Sequence, residues 1–196
     1  MPTIRSNRTI CARGAGTRRW LQVAAALTAT ITAICSPLAA QTAPQGNMAA
    51  QAGNLRIVQV WTTDPKGFQA AFGQPSLPAL QAHSAAERNQ PIHLLILYAG
   101  CQRDPDDKCW LTAQVRITAP DGTPYGEQVA FDALPMGPGV PAGQFGLAPG
   151  SLGLVVENGE QLGRYKVQLA VTDEIAVQTA VSVVYLDIVE AKTAAK

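Results

Sequence analysis

The stretch Trp110-Leu111-Thr112-Ala113-Gln114-Val115-Arg116-Ile117-Thr118 decides the fold class. Leu111, Ala113, Val115 and Ile117 alternate with Thr112, Gln114 and Arg116, the two-residue period of a strand with one buried and one wet face. The same texture recurs on both sides. Upstream, residues 55–62 read as a strand, and Ile92-His93-Leu94-Leu95-Ile96-Leu97-Tyr98 is a nearly continuous apolar run, as a strand buried on both faces requires. Downstream, residues 128–131 and 152–157 read as short strands. Residues 164–172 alternate through Tyr165, Val167, Leu169 and Val171, and residues 176–189 form a last long strand. Ala119-Pro120-Asp121-Gly122, Asn158-Gly159 and Asp173-Glu174 are turn signals between them. Helical spacing is confined to residues 65–72, with Phe68 and Phe72 four apart, and to a short turn at residues 84–88. About seven strands, no long helix and no repeat describe an all-β, single antiparallel β-sandwich.

The N-terminus is of a different kind. Residues 1–40 contain Arg5, Arg8, Arg13, Arg18 and Arg19 and no acidic residue. An uncharged Ala/Leu/Ile/Val/Thr-rich stretch runs from Trp20 to Ile34, and Ser36-Pro37 precedes the small-residue site Leu38-Ala39-Ala40. This is the pattern of an export signal cleaved before Gln41, and its apolar stretch is too short to remain as a membrane span. Thr17-Arg18-Arg19-Trp20-Leu21 partly resembles a twin-arginine signal; Gln22 and Val23 depart from it, and an ordinary secretory signal accounts for the pair equally well. The division expected is signal 1–40, flexible lead-in 41–53, sandwich 54–190 and tail 191–196, in a periplasmic or secreted protein. Without the signal, 156 of the 196 residues remain, with 10 basic and 14 acidic side chains and a net charge of −4. That length suits one domain with its own core. The acidic balance and the absence of a basic run make nucleic acid a poor partner.

Cysteine usage fits export. Cys11 and Cys35 leave with the signal, and Cys101 and Cys109 flank Gln-Arg-Asp-Pro-Asp-Asp-Lys, whose turn-forming core lets the chain double back. In an oxidising compartment a disulfide is the expected outcome, worth roughly 2–3 kcal/mol for so short a loop. Two cysteines with no neighbouring His do not make a four-ligand zinc site, and the spacing is not that of a redox-active C-x-x-C pair.

Catalytic patterns are missing. His83 and His93 are the only histidines, His93 lies within the apolar run, and Ser76, Ser84, Ser151 and Ser182 have no patterned base. No G-x-S-x-G elbow, H-E-x-x-H pair or phosphate-cradling loop occurs, so neither an enzyme nor a cofactor is expected. Asp104, Asp106 and Asp107 could offer oxygens to calcium, yet Arg103 and Lys108 offset that charge and a solvated turn is the expectation. Residues 134–150 hold five Gly and four Pro. Their apolar side chains Met136, Val140, Phe145 and Leu147 pack an irregular edge segment onto the sandwich or form a binding loop, with a disordered segment as the third reading.

Glu160-Gln161-Leu162-Gly163-Arg164-Tyr165 puts a Tyr two residues after a turn Gly, which resembles the tyrosine corner of immunoglobulin-like domains and gives Gly163 and Tyr165 structural roles. Trp110 stands where such sandwiches could keep their core Trp. Gly100-Cys101, Cys109-Trp110, Pro120-Asp121-Gly122, Tyr125-Gly126-Glu127, Leu152-Gly153-Leu154, Gly159-Glu160 and Leu162-Gly163-Arg164-Tyr165 together resemble an uncharacterised family of exported Gram-negative bacterial domains. The resemblance covers residues 53–190. It implies an immunoglobulin-like or fibronectin-type β-sandwich in the periplasm and brings no catalytic residues with it. The function expected is a non-catalytic protein-binding or assembly module with an envelope protein as partner. The alternative is a glycan- or small-ligand-binding module using Trp61, Trp110, Tyr98 or Tyr125, and a hydrolase with a dispersed site is weaker still.

Overall fold

The computed structural model describes residues 46–72, 74 and 83–191. The signal, the first part of the lead-in and residues 192–196 of the tail lie outside the described residues. The elements are β1 Ala49–Ala52, β2 Leu55–Thr62, α1 Pro65–Phe72, β3 Ala85–Glu87, β4 Ile92–Ala99, β5 Lys108–Thr118, β6 Val129–Pro138, β7 Gly146–Leu147, β8 Leu152–Leu154, β9 Gly163–Asp173 and β10 Gln178–Val189. One sheet has the order β1-β2-β4, with β7 and β8 both pairing the far side of β4; the other is β3-β10-β9-β5-β6. All pairings are antiparallel except β3 with β10. The order β2-β4-β8 facing β6-β5-β9-β10 is the A-B-E over C′-C-F-G arrangement of an immunoglobulin-like sandwich.

Alternation places the core. Leu55, Ile57 and Trp61 of β2 and Ile92, Leu94, Ile96 and Tyr98 of β4 meet Leu111, Ala113 and Val115 of β5, Val167, Leu169 and Val171 of β9, and Val184 and Leu186 of β10. The opposite faces of β2 and β4 are apolar as well. Val60, Leu95 and Leu97 pack under Phe68 and Phe72 of α1, so the helix forms a partial third layer. Asp64 starts this helix by accepting the Gly67 N–H at 2.9 Å, with Pro65 in the first turn, where its missing N–H costs nothing.

The structure departs from the sequence reading at four places. Residues 84–88 are not helical: Ala85–Glu87 pairs in parallel with Asp187–Val189. The lead-in is ordered from residue 46, because Gly53-Asn54 forms a two-residue turn (Gly53 φ +55°) that folds Ala49–Ala52 back onto β2. Strand β6 extends to Pro138, well into the segment expected to be irregular. Trp110 is on the outer face of β5, donating from Nε1 to Asp132 at 3.1 Å, and the core Trp is Trp61.

One seam joins the sheets directly. Asn47 bridges to Val183 of β10, while Met48 O accepts the Gln59 N–H of β2 at 2.8 Å. Gly46 lies so close that an added Cβ would stand 2.3 Å from Val183 O. Beside this crossing, Ser182 Oγ of β10 donates to Gln59 Oε1 at 2.9 Å, fully buried, and Gln59 Nε2 has no partner. Ser182→Ala removes the partner that the buried amide has among the described residues and should cost about 1–3 kcal/mol. Gln59→Leu combined with Ser182→Ala removes both polar groups and should return stability to within about 1 kcal/mol of wild type. Urea denaturation of the three proteins checks both outcomes.

Candidate functional site

Three connections gather at one end of the sandwich. Residues 100–107 join β4 to β5, residues 139–145 join β6 to β7, and residues 174–177 join β9 to β10. Their counterparts in antibody variable domains are the loops that bind antigen. Each is fastened by a specific group. At Gly100 (φ +71°) an added Cβ would lie 2.1 Å from Asn54 O, so only glycine lets the first loop meet the β1–β2 turn. The Cys101–Cys109 disulfide closes that loop, with Cα atoms 6.1 Å apart. Asp104 Oδ1 accepts the N–H groups of Asp106 and Lys108 at 2.9 and 2.8 Å, and Asp107 pairs with Arg103, so the three aspartates build a turn. Arg103 Nη2 donates to Val140 O at 2.6 Å and ties the second loop to the first.

Asp173 fastens the third. This buried carboxylate accepts the N–H groups of Ile175 and Ala176 in its own turn, and that of Gln102 at 2.6 Å across the loop end. The turn ends at Val177, a β-branched residue at φ +52° that is 83% exposed. A left-handed backbone disfavours such a side chain, and strain of this kind collects at functional positions.

Between the first two loops and the β1–β2 turn lies an open cleft of about 1090 Å³, whose walls include Arg56, Arg103, Asp107, Gln102, Asn54 and Val140. The Arg56 guanidinium sits 5.3 Å from the centroid of the Phe145 ring. Of the four apolar residues singled out in the sequence, Val140 lines this cleft and Phe145 stands beside it against Arg56. Met136 is exposed on β6, and Leu147 packs against the α1-covered cluster instead. Arg56, Asp173 and Val177 were not singled out from the sequence. Arg56 is a charged residue inside an apolar first strand, the one signal that could have marked it.

The opposite end holds the tyrosine corner. Tyr165 is fully buried and donates from its hydroxyl to Gln161 O at 2.7 Å. Its ring meets Tyr125 edge-on at 5.2 Å, and Tyr125 donates to the Glu160 carboxylate at 2.8 Å. Gly163 (φ +127°) packs on Pro120. Burial pushes both phenols above their ordinary range, and the Glu160 carboxylate adds to the effect. The remaining candidates are dispersed. His93 is half-buried on β4, His83 donates its backbone N–H to Trp61 O, and Trp61 and Tyr98 are core residues. Among the described residues no group of three His, Cys, Asp or Glu is placed to hold a metal ion, and no helix is long and apolar enough to cross a membrane.

No family model matches the chain, and no curated protein does. Solved structures resemble it in outline. A Niemann-Pick type C2 protein from Japanese carpenter ant is 10% identical with a TM-score of 0.36, over 74% of this chain and 96% of that one. The CARDB domain of the PF1109 protein from Pyrococcus furiosus is 14% identical with a TM-score of 0.35, over 56% and 83%. A family 123 glycoside hydrolase from Clostridium perfringens is 9% identical with a TM-score of 0.40; the match spans 69% of this chain and 28% of the hydrolase.

Two predictions follow from the two ends. Both phenols are raised in the folded chain, so their contribution to stability is fully present below pH about 10 and declines as pH rises through the folded values. Tyr165→Phe, which loses the bond to Gln161 O, should cost about 1–1.5 kcal/mol at neutral pH. Combined with Tyr125→Phe it should flatten the alkaline decline, read from melting temperature against pH between about 8 and 11. Val177→Gly relieves the left-handed strain and should raise stability by a few tenths to about 1 kcal/mol despite glycine's entropy, measured by chemical denaturation.

Proposed function

We propose that the chain is a non-catalytic binding module of the periplasm or extracellular space, engaging a protein partner through the loop end of its sandwich. The observation that carries this reading is the convergence of three loops at one end. Two of them, fastened by the disulfide and the shared Arg103, line a cleft flanked by the exposed side chain of Phe145, and the third is fastened beside them by the buried Asp173 carboxylate. Loops held in advance lose less conformational entropy on association than loops ordered by the partner. The compartment is supported by the export-type N-terminal sequence and by the disulfide, which persists in oxidising environments. The resemblance of the sequence to exported Gram-negative domains makes an envelope protein the partner proposed. A glycan platform has less support, since Trp61 and Tyr98 are buried in the core and the Tyr125 hydroxyl is engaged by Glu160.

Site-specific photo-crosslinking in envelope preparations tests the proposal. A photoreactive residue at Ala142 or Val177 should give a discrete protein adduct, and one at Gly126, at the far end, should not. No adduct from the loop end, or the same adduct from both ends, would overturn it.

A further inference from the structure

The cleft at the loop end contains two guanidinium groups in different states. Arg103 is doubly engaged: it pairs with Asp107 and donates to Val140 O. Gly139 gives it room, since an added Cβ there would stand 3.0 Å from Arg103 Nε and 2.8 Å from Cys109 Sγ. Arg56 is not engaged in this way. Its guanidinium lies over the Phe145 ring, 5.3 Å from the centroid, and the ion pairs of the described residues are made by Arg88, Arg103 and Arg164. A guanidinium that stacks on a ring keeps its in-plane N–H donors for a planar acceptor, and a carboxylate matches that fork. Residues 41–196 carry 10 basic and 14 acidic side chains. Among the described residues Arg116 also has no carboxylate partner but bonds the Gln128 amide oxygen, so Arg56 is the arginine of the cleft left without a hydrogen-bonded acceptor among them.

We infer that this cleft is a carboxylate-binding site that takes an acidic peptide segment of a protein partner, with Arg56 holding a Glu or Asp side chain and Phe145 packing an apolar neighbour. The inference rests on the loop end being the binding end. A single unpaired cation suits one carboxylate; a phosphate cluster or polyanionic glycan calls for several. Gln51, Asn54 and Gln102 supply amide groups along the same wall, suited to peptide backbone, and Val140 and Pro141 extend the apolar surface.

Fluorescence polarisation with labelled hexapeptides on the full exported protein, disulfide intact, tests this. An alternating Glu-Leu peptide should bind about tenfold more tightly than its Gln-Leu counterpart at low salt, and the gap should narrow near 0.5 M salt. Arg56→Gln should erase the preference for Glu, Arg56→Lys should restore part of it, and Phe145→Ala should weaken both peptides. Thermal melts of the variants verify that they remain folded, since Arg56 contributes no buried hydrogen bond. Equal binding of the two peptides, an unchanged preference in Arg56→Gln, or displacement of the Glu peptide by an oligogalacturonate that binds more tightly would overturn the inference. Equal peptide binding together with a persisting crosslink at Ala142 would remove the acidic ligand alone; loss of the crosslink as well would remove the binding end with it.

Discussion

Strand β4 presents Ile92, Leu94, Ile96 and Tyr98 on one face and Leu95 and Leu97 on the other, so the chain has to cover both sides of it. The second sheet covers the inner face. On the outer face the covering falls to α1, a helix of eight residues that buries Phe68 and half-buries Phe72. Full burial of such side chains is worth about 1.5–3 kcal/mol each, enough to hold so short a helix that would not form alone. Much of the first sheet is arranged around this strand: β2 pairs one edge over most of its length, and β7 and β8 share the other.

The two ends of the sandwich use different chemistry. The Tyr165 end is closed by a phenol bonded to backbone and by rings in edge contact, a packed and self-satisfied corner. The loop end is held by charge and covalent bonds: a disulfide, the doubly engaged Arg103, and the buried Asp173 carboxylate bound by three N–H groups. Removing a partner from the buried Asp173 carboxylate leaves part of its hydrogen-bonding capacity unmet in a low-dielectric setting. The loop end is therefore held in shape by specific groups although it has little regular structure.

Periodicity revealed the elements whose partners are two-faced sheets, and little else. The alternation in residues 110–118 and 164–172 and the double-sided run at residues 92–98 correspond to β5, β9 and β4. The same alternation, followed strictly, puts Trp110 on the wet face with Thr112 and Gln114, which is where it stands. Strand β3 carries no local signal, because three residues of Ala-Ala-Glu become a strand only by pairing with β10 a hundred positions away. Strand β1 was marked by Gly53-Asn54, a hairpin signal hidden in a stretch whose Ala and Gln content suggested a flexible lead-in. The candidate site was half legible. Cys101 and Cys109 flagged the loop and Phe145 its neighbour, but Arg56 comes to the cleft through tertiary packing alone, and Asp173 read only as a turn residue.

The seam at Asn47, Gln59, Ser182 and Val183 has a consequence for how the chain acquires its structure. Gln59 and Ser182 are 123 residues apart, and contacts of such separation close late and slowly. A chain made from its N-terminus can pair β1, β2 and β4 early, since these strands are near neighbours in sequence. Until β9 and β10 have been made, that half-sheet carries Leu55, Ile57, Trp61, Ile92, Leu94 and Ile96 bare on its inner face. In any order of folding in which that half-sheet forms before β9 and β10 join it, an apolar wall stands open to association until the second sheet covers it.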